Sequence, residues 1–403
     1  MTAVEDPAGP LDGLRVVDFS GMIAGGYATM TLADFGADVI AVEHPEHHDP
    51  VRDWTPIEDG TSLWWKSLGR NKRCVTCDLK RDEGKALAME LVADADAVVE
   101  NFRPGTLERW DLGPARLREA NQELIVVRIS GYGQTGPRAE QPGFGTAAEA
   151  MSGFAHVNGF PDREPLLPPI ALADMAAGMT AVQSLLMALF ERDVTGSGAG
   201  QVIDVSLLES LFRMFPAAVT TFDRTGETGE RLGNRHENAA PRNVYETADG
   251  YVALSASQQS IFENLAEIVG HPELIDDPRF ADNAARVEHA AALDEYIAPW
   301  IADRTTDEVL DELRRGDAVV APIYDIGDIV ADDHYRARDA FVEVTDPDLG
   351  RTMAAGVFPK FSRTPGAVDH LGPSQGQHNR EVYVDELGLD EATLADLRES
   401  DVV

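Results

Sequence analysis

Asp174 is the residue whose sequence surroundings most favour chemistry. It follows an extended approach, 168–173, that opens with two prolines, and it precedes a strongly helical stretch from Met175 onward. The free N–H groups and dipole of a helix N-terminus stabilise a carboxylate, so an ionised Asp174 could serve as a nucleophile. A structural N-cap aspartate fits the same spacing, and the sequence pattern alone leaves both roles open.

A run of basic residues is the second candidate feature. In a chain of formal net charge −36, the stretch 66–85 contains seven basic residues and three acidic ones. This local reversal favours a bound polyphosphate, which lysine and arginine recognise well. The alternative is an ion-pair network with neighbouring acids. The basic residues are Lys66, Arg70, Lys72, Arg73, Lys80, Arg81 and Lys85.

Two loops follow apolar strand-like runs. Residues 100–105 (ENFRPG) follow the first run, and the glycine-rich residues 130–137 (SGYGQTGP) follow LIVVRI. Ligands of α/β folds bind at the carboxyl ends of parallel strands. The glycine-rich loop could present N–H groups to an anion or form a flexible turn. The small-residue turn at 21–26 follows a strand but does not have the G-x-G-x-x-G spacing of a dinucleotide site.

The histidines and cysteines do not predict a metal site. The histidines within 44–48 lie in a polar loop without suitably spaced carboxylates, and His236 lies in a polar loop that could face a substrate or solvent. Cys74 and Cys77 fall on a predicted strand, 73–79, which would point them to opposite faces. We interpret them as packing residues rather than as a redox or zinc pair.

The elements that position these residues alternate between strand and helix, which predicts an α/β fold with a parallel sheet. Residues 1–220 form the predicted large domain, 221–330 a smaller α+β domain with its linkers, and 331–403 a return to the large domain. Within the large domain we expect a small-residue turn at 21–26 and a long helix from about 174 to 191. The expected strands are 14–19, 37–42, 73–79, 97–100, 124–129 and 201–205.

Composition restricts the partners. The chain of 403 residues has 70 acidic residues but only five lysines, which indicates adaptation to molar salt, where charge repulsion is screened. Such a surface disfavours nucleic acid and anionic membranes. With no N-terminal signal and no apolar stretch approaching about 20 residues, we expect a cytoplasmic protein.

Taken in order, these motifs resemble class III CoA-transferases. The resemblance rests on LDGLRVVDFSGMIAGG, RNKRCVTCDLK, VVENFRPGTLERWDLG, ISGYGQTGP, ALADMAAGM and NAAPRNVYETADGYV. It implies a Rossmann-like large domain in a ring-shaped chain interlocked with a second copy, a homodimer. CoA thioesters would be substrates, with no permanently bound cofactor or metal. The resemblance makes Asp174 the nucleophile and assigns CoA contacts to Lys72, Asn101, Phe102 and Arg109, with His44 where relatives often carry arginine.

The substrate is less constrained. Ile23 and the loop 235–238 depart from the formyl-CoA transferase pattern, so Arg235, His236 and Arg242 could hold a distal carboxylate. By analogy with a haloarchaeal relative, succinyl-CoA and mesaconate are the expected pair. Related α-methylacyl-CoA racemases carry a basic histidine where Phe144 stands, and a phenyl ring cannot replace it. A racemase, another acyl-CoA:carboxylate CoA-transferase and a non-catalytic CoA-binding protein remain the alternatives.

Overall fold

The structure, a computed structural model, describes residues 9–403 and contains two compact units. The first comprises the described residues up to Phe154 together with Pro168–Ala217 and His334–Val403. The second comprises Ala155–Leu167 and Ala218–Asp333. The second unit has a hydrophobic core of its own.

The secondary structure of residues 9–403 alternates strands and helices through the first half of the chain. The strands are β1 Arg15–Asp18, β2 Asp38–Glu43, β3 Ile57–Glu58, β4 Thr61–Ser62, β5 Arg73–Thr76, β6 Ala97–Glu100, β7 Ile125–Ser130, β8 Val202–Ser206, β9 Arg242–Glu246, β10 Tyr251–Ser255, β11 Val319–Pro322, β12 Phe341–Asp346 and β13 Gly350–Ala355. The helices are α1 Met22–Asp34, α2 Leu63–Leu68, α3 Asp82–Ala93, α4 Thr106–Arg109, α5 Pro114–Ala120, α6 Gly145–Met151, α7 Phe154–Val157, α8 Leu172–Phe190, α9 Leu207–Phe212, α10 Ala218–Thr225, α11 Gln259–Ile268, α12 Asn283–Glu288, α13 Ala290–Ala302, α14 Thr306–Arg315, α15 Ile326–Ala331, α16 Asp333–Ala337 and α17 Glu391–Glu399.

Six parallel strands form the sheet of the first unit, in the order β5-β2-β1-β6-β7-β8. The predicted α/β class with a parallel sheet is therefore confirmed. The strand order changes direction between β1 and β6, so the loops that follow these two strands lie side by side at the carboxyl edge. That switch point is where open α/β sheets bind ligands.

Both faces of this sheet are covered, which explains why its strands are almost continuously apolar. Val17 points into a core shared with α3, α5 and α17, whereas its neighbour Val16 points into a core shared with α1, α8 and α9. Cys74 and Cys77 belong to different apolar clusters, as expected for packing cysteines, and both thiols are free. Burial raises the pKa of each thiol, which makes a reactive thiolate unfavourable.

The C-terminal segment closes the β5 edge of the sheet. The backbone N–H of Cys74 donates to Nδ1 of His378 at 2.9 Å, and that of Thr76 donates to Oδ1 of Asn379 at 2.8 Å. The hydroxyl of Tyr383 donates to the Thr76 carbonyl at 2.8 Å. These side chains satisfy an edge that would otherwise expose unpaired backbone groups.

Helix α1 corrects one sequence expectation, since it begins at Met22 and includes the predicted turn glycines. A Cβ on Gly25 would lie 2.1 Å from the Ser20 hydroxyl, so this glycine permits close packing rather than a turn. Helix α8 uses the same device, because a Cβ on Gly178 would lie 2.8 Å from the Ala24 carbonyl oxygen. The two helices consequently approach each other backbone to backbone.

Helix α8 also corrects the expectation that no apolar stretch approaches the length of a membrane span. Together with the helical turn that continues it to Thr195, α8 is long and apolar enough by length and composition, with a mean hydropathy of 1.4 over an 18-residue window. Its buried face is built from alanines, Gly178 and Leu185 that pack against the parallel sheet. These contacts make it a core helix of the first unit.

The second unit is α+β. Strands β9, β10 and β11 form an antiparallel sheet in the order β11-β10-β9, and helices α11, α13 and α14 bury their apolar faces in the same core. Arg286 is completely buried there and donates to the carbonyls of Ala240, Phe280 and Ser257. This buried guanidinium ties together main-chain segments of the unit.

Candidate active site

Asp174 lies in the first turn of α8, three positions after the N-cap residue Ala171. It is therefore not the N-cap, and a purely structural capping role does not describe it. Burial raises the pKa of the carboxyl to about 6, and the negative charge of Glu149 adds to this effect. A hydrogen bond from the backbone N–H of Asp174 to its own carboxylate lowers the pKa, but by less than burial raises it. At pH 7 about nine-tenths of the carboxyl groups remain ionised, in a half-buried position where a nucleophile would be desolvated.

Gly145 makes room for this carboxylate. A Cβ at Gly145 would lie 2.2 Å from Asp174 Oδ2, a separation that real side chains do not show. The residue before it, Phe144, is 66% exposed, so its ring lies on the surface of the unit. The absence of a side chain at the first position of α6 therefore leaves the space that the Asp174 carboxylate occupies.

The glycine-rich loop after β7 leads the chain to this position. A Cβ on Gly131 would lie 2.6 Å from the Gly143 Cα, so the two ends of the loop are packed backbone to backbone. The N–H of Gln134 donates to Asp204 Oδ2 at 2.9 Å, which fastens the loop to β8. At least this N–H is therefore engaged within the protein rather than presented to an anion.

Asn101 lies at the switch point and joins its two loops. Its Oδ1 accepts from the N–H of Gly21 at 3.0 Å, and its Nδ2 donates to the Gly21 carbonyl at 2.6 Å. Ile23, proposed from the sequence as a substrate contact, is 3% exposed and packs with Val51 and Trp65. In this structure Ile23 belongs to the core, and its contact with a substrate stays a prediction.

The buried part of the basic run forms ion pairs. Lys72 is 2% exposed, and its Nζ donates to Asp18 Oδ2 at 3.2 Å and to the Thr29 hydroxyl at 2.7 Å. Lys66 pairs with Asp346 and Asp348, Arg70 with Asp34, and Arg73 with Asp38 and Glu386. The ion-pair alternative therefore describes these four residues, and a phosphate contact by Lys72 remains a prediction that burial does not favour.

Exposed cations lie instead at the carboxyl ends of β5 and β6. Lys80, Arg103 and Arg109 are exposed, and within residues 9–403 none of them forms an ion pair with a carboxylate. The Lys80 Nζ lies 5.8 Å from the centre of the Trp110 ring, and this ring packs edge to face on Phe102. The structure thus brings the predicted residue Phe102 together with Lys80 through Trp110, whereas the Arg109 guanidinium donates to the Thr106 hydroxyl.

Sequence reasoning gave no separate role to Lys80 or Arg103, although each follows a strand of the parallel sheet. Their position just after a strand of the parallel sheet was the sequence feature that could have identified them as ligand-binding candidates. His44 also follows a strand, β2, and its Nε2 lies 3.6 Å from Asp78 Oδ1. Its ring stacks on that of His47 with a centroid separation of 4.8 Å.

The second unit holds the remaining candidates. Arg235 donates from Nε and Nη2 to Asp294 Oδ2, at 3.0 and 2.7 Å, rather than pairing with the nearby Glu230 or Glu237. Arg242 donates to the Arg235 carbonyl at 3.3 Å. His236 accepts at Nδ1 from the N–H of Asn238 at 3.1 Å. The Arg235 guanidinium is thus already held by a carboxylate, whereas Arg242 and His236 remain exposed to solvent.

No cluster of three or more histidine, cysteine, aspartate or glutamate side chains within residues 9–403 is arranged to hold a metal ion. The feature of the described site that can do chemistry is the half-buried Asp174 carboxylate beside Gly145. A half-buried aspartate of raised pKa suits nucleophilic attack on an activated acyl group.

Comparison with known proteins identifies the family. The profile of CoA-transferase family III matches residues 11–379. A succinyl-CoA–D-citramalate CoA-transferase of Chloroflexus aurantiacus is 43% identical over 98% of this chain and 99% of its own length. The beta subunit of a succinyl-CoA–L-malate CoA-transferase of the same organism is 39% identical over 98% of this chain and 98% of its own length. A succinate–glutarate CoA-transferase of Agrobacterium fabrum is 34% identical over 96% of this chain and 98% of its own length.

Solved structures agree with this result. A CAIB/BAIF family protein from Brucella suis superposes with a TM-score of 0.84 at 33% identity, covering 94% of this chain and 100% of that protein. A protein from Mycobacterium tuberculosis gives a TM-score of 0.81 at 28% identity, covering 93% of this chain and 99% of its own. The family profile and the curated relatives each span nearly the whole chain. The chain therefore belongs to CoA-transferase family III.

Proposed function

We propose that this acyl-CoA:carboxylate CoA-transferase moves CoA from succinyl-CoA to a second small dicarboxylic acid, with mesaconate as the leading acceptor. The observation that carries the transferase chemistry is the half-buried Asp174 carboxylate of raised pKa, seated against Gly145 in the first turn of α8. The curated relatives, named for succinyl-CoA with citramalate or malate and for succinate with glutarate, support dicarboxylates as the substrate class.

In the proposed reaction, an Asp174 oxygen attacks the thioester carbonyl of succinyl-CoA. The C–S bond breaks, CoA leaves as a thiolate, and a mixed anhydride remains on Asp174. The thiolate then attacks the Asp174 carbonyl carbon and releases succinate, which leaves an aspartyl-CoA thioester. The acceptor carboxylate attacks this thioester, and the thiolate released takes the new acyl group and regenerates the Asp174 carboxylate. One negative charge is passed along at each step, and no proton needs to be transferred.

Exposed cations on the first unit would hold CoA during these steps. Lys80, Arg103 and Arg109 are free to meet phosphate oxygens, and Phe102 with Trp110 offers apolar surface beside them. Asn101 would fix the adjacent switch-point loop. The phosphate oxygens of CoA would then replace water around these side chains and accept charge-assisted hydrogen bonds from them.

The acceptor acid is proposed to be held through its distal carboxylate. Arg242 is the better candidate for this contact, because Arg235 is already paired with Asp294. The test is transfer from succinyl-CoA to mesaconate, citramalate, malate and glutarate, compared with crotonate and butyrate, in about 2–3 M KCl. Equal transfer to the monoacids would contradict a distal-carboxylate contact.

A racemase is the second candidate, and one observation disfavours it. Position 144, where related racemases place a base, holds an exposed phenylalanine. Racemisation needs an acid/base group on each face of the α-carbon. Deuterium exchange at the α-carbon of a 2-methylacyl-CoA measures this directly, and exchange at the rate of CoA transfer would favour the racemase.

We also propose that the protein works as the interlocked homodimer expected for the family. Within the first unit, α8 exposes Met179, Leu186, Met187 and Phe190, and Phe212 and Met214 are exposed nearby in sequence. A second copy would cover this apolar surface. Light scattering in molar KCl should give twice the 43.7 kDa chain mass. The acidic composition further supports a cytoplasm rich in salt as its location.

A further inference from the structure

Glu149, on α6, is a buried carboxylate that the reaction outlined above does not use. It is 4% exposed, and within residues 9–403 it forms no ion pair. Its Oε1 accepts from the N–H of Ala173 at 3.4 Å, a long hydrogen bond. An unpaired acid at this depth is unusual, since buried charges are ordinarily matched by a cation.

Glu149 and Asp174 share one small space. A Cβ placed on Gly145 would lie 2.2 Å from Asp174 Oδ2 and 3.8 Å from Glu149 Oε1, so both carboxylates border the space beside Gly145. Within residues 9–403 neither carboxylate forms an ion pair, and the charge that acts on Asp174 is that of Glu149. Two like charges this close in a partly dry site repel each other.

The other charged or titratable groups on the elements that contact α8 are accounted for. Arg128 on β7 is held by Glu100 and Glu108, and Asp204 on β8 accepts from the glycine-rich loop. Glu209 on α9 accepts from the Ser206 hydroxyl. The remaining groups are Tyr27 and Asp34 on α1, and Glu191, Arg192 and Asp193 at the C-terminal end of α8, where Arg192 pairs with Asp193 and Asp96. Among all of these, Glu149 is the residue whose charge acts on Asp174.

We propose that Glu149 is a positioning residue whose negative charge disfavours the free Asp174 carboxylate and thereby favours the covalent, uncharged forms of Asp174. This inference rests on the proposed function. When Asp174 attacks the thioester, its charge leaves with the CoA thiolate; when the thiolate returns, the charge leaves with succinate. In both covalent states Asp174 is neutral, so its repulsion with Glu149 is relieved. The free carboxylate regains that repulsion only when the product is released.

The variant Glu149→Gln isolates the charge. Glutamine keeps the volume and the Oε1 acceptor for the Ala173 N–H, but removes the negative charge. We expect the ratio of aspartyl-CoA adduct to free enzyme to fall about three- to tenfold. The measurement is mass spectrometry of acid-quenched enzyme at a fixed succinyl-CoA:succinate ratio in molar KCl. The acid limb of kcat/KM, set by free Asp174, should move to lower pH in the same variant.

Two further variants control for structure. Glu209→Gln removes a neighbouring negative charge that does not act on Asp174, so its adduct ratio should equal that of the wild type. Glu149→Asp keeps the charge in a shorter side chain and should retain at least about half of the wild-type ratio. This variant also keeps the test decisive if Glu149→Gln does not fold.

The possible outcomes distinguish a failure of the proposed function from a failure of the role assigned to Glu149. Absence of any adduct on wild-type Asp174 overturns the proposed function. An adduct in the wild type whose ratio is unchanged in Glu149→Gln overturns the role of Glu149 alone. A loss in Glu149→Asp as large as that in Glu149→Gln assigns the effect to packing and also overturns it.

Discussion

Replacing Gly145 with alanine tests whether the position of the Asp174 carboxylate controls catalysis. The new Cβ would lie 2.2 Å from Asp174 Oδ2, whereas real Cβ contacts essentially never fall below 3.0 Å. The carboxylate must therefore move by close to an ångström, which its flexible side chain can do without disturbing the fold. A misplacement of about 1 Å in a reacting group costs on the order of 100-fold in rate, or about 2.7 kcal/mol of barrier.

The fold should tolerate this substitution. Gly145 is not in the left-handed region and begins α6, where alanine is the better helix former by up to about 1 kcal/mol. We therefore expect an unchanged or slightly raised Tm together with a strongly reduced kcat. The succinyl-CoA KM should change little, because Gly145 contacts the nucleophile rather than the proposed CoA-binding cations.

The assay is steady-state transfer from succinyl-CoA in molar KCl, alongside thermal unfolding. Gly250→Ala is the matched control: it introduces the same methyl group at a site where the nearest atom, the Thr306 hydroxyl oxygen, would lie at an ordinary 3.4 Å. A kcat for Gly145→Ala within threefold of that control would show that the space left by Gly145 does not fix the position of the Asp174 carboxylate.

Other predictions concern the nucleophile, its titration and the cations. Asp174→Ala should abolish transfer while CoA binding persists; activity within tenfold of wild type would disprove the nucleophile. In the wild type, kcat/KM should fall tenfold per pH unit below about pH 6, where burial and Glu149 hold the Asp174 pKa, and a limb near pH 4 would contradict this. Lys80→Glu and Arg109→Glu should raise the KM for succinyl-CoA more than they lower kcat, and unchanged constants in both would exclude this surface as the CoA site. Lys72→Met should instead lower the unfolding free energy by about 3–5 kcal/mol, because it leaves Asp18 buried without its cation; a stable variant with a raised KM would restore Lys72 to the CoA site.

The α/β class was predictable because each strand of the parallel sheet is a compact apolar run and each is followed by helical periodicity. Every predicted strand of that sheet is present, with ends shifted by only a few residues. The start of α1 was missed because Gly25 and Gly26 suggest a turn locally. Gly25 instead makes room for the Ser20 side chain, and Gly26 faces Leu68 on α2, which is distant in sequence. Close packing of helices is a tertiary property that local glycine content does not reveal.

The nucleophile was recognisable from sequence, but its electrostatic setting was not. A helix N-terminus predicts a stabilised Asp174 anion, whereas the structure gives a raised pKa. The difference arises because burial and the charge of Glu149 outweigh the backbone N–H contribution. Glu149 lies 25 positions earlier in a short helix with no distinguishing motif, so only the three-dimensional arrangement brings it to Asp174.

The basic run shows how composition can mislead in an acidic protein. With 70 acidic residues and 34 basic ones, cations are scarce, and the buried cations of the basic run are taken up by carboxylates. Lys66, Arg70 and Arg73 reach acids on segments remote in sequence, so local charge density did not reveal their partners. For an anionic ligand the informative cations are those left without a carboxylate, and among the described residues Lys80, Arg103 and Arg109 meet that condition at the carboxyl ends of β5 and β6. A polyanion that approaches a surface of this charge is repelled almost everywhere else, so these few cations should orient CoA as well as bind it.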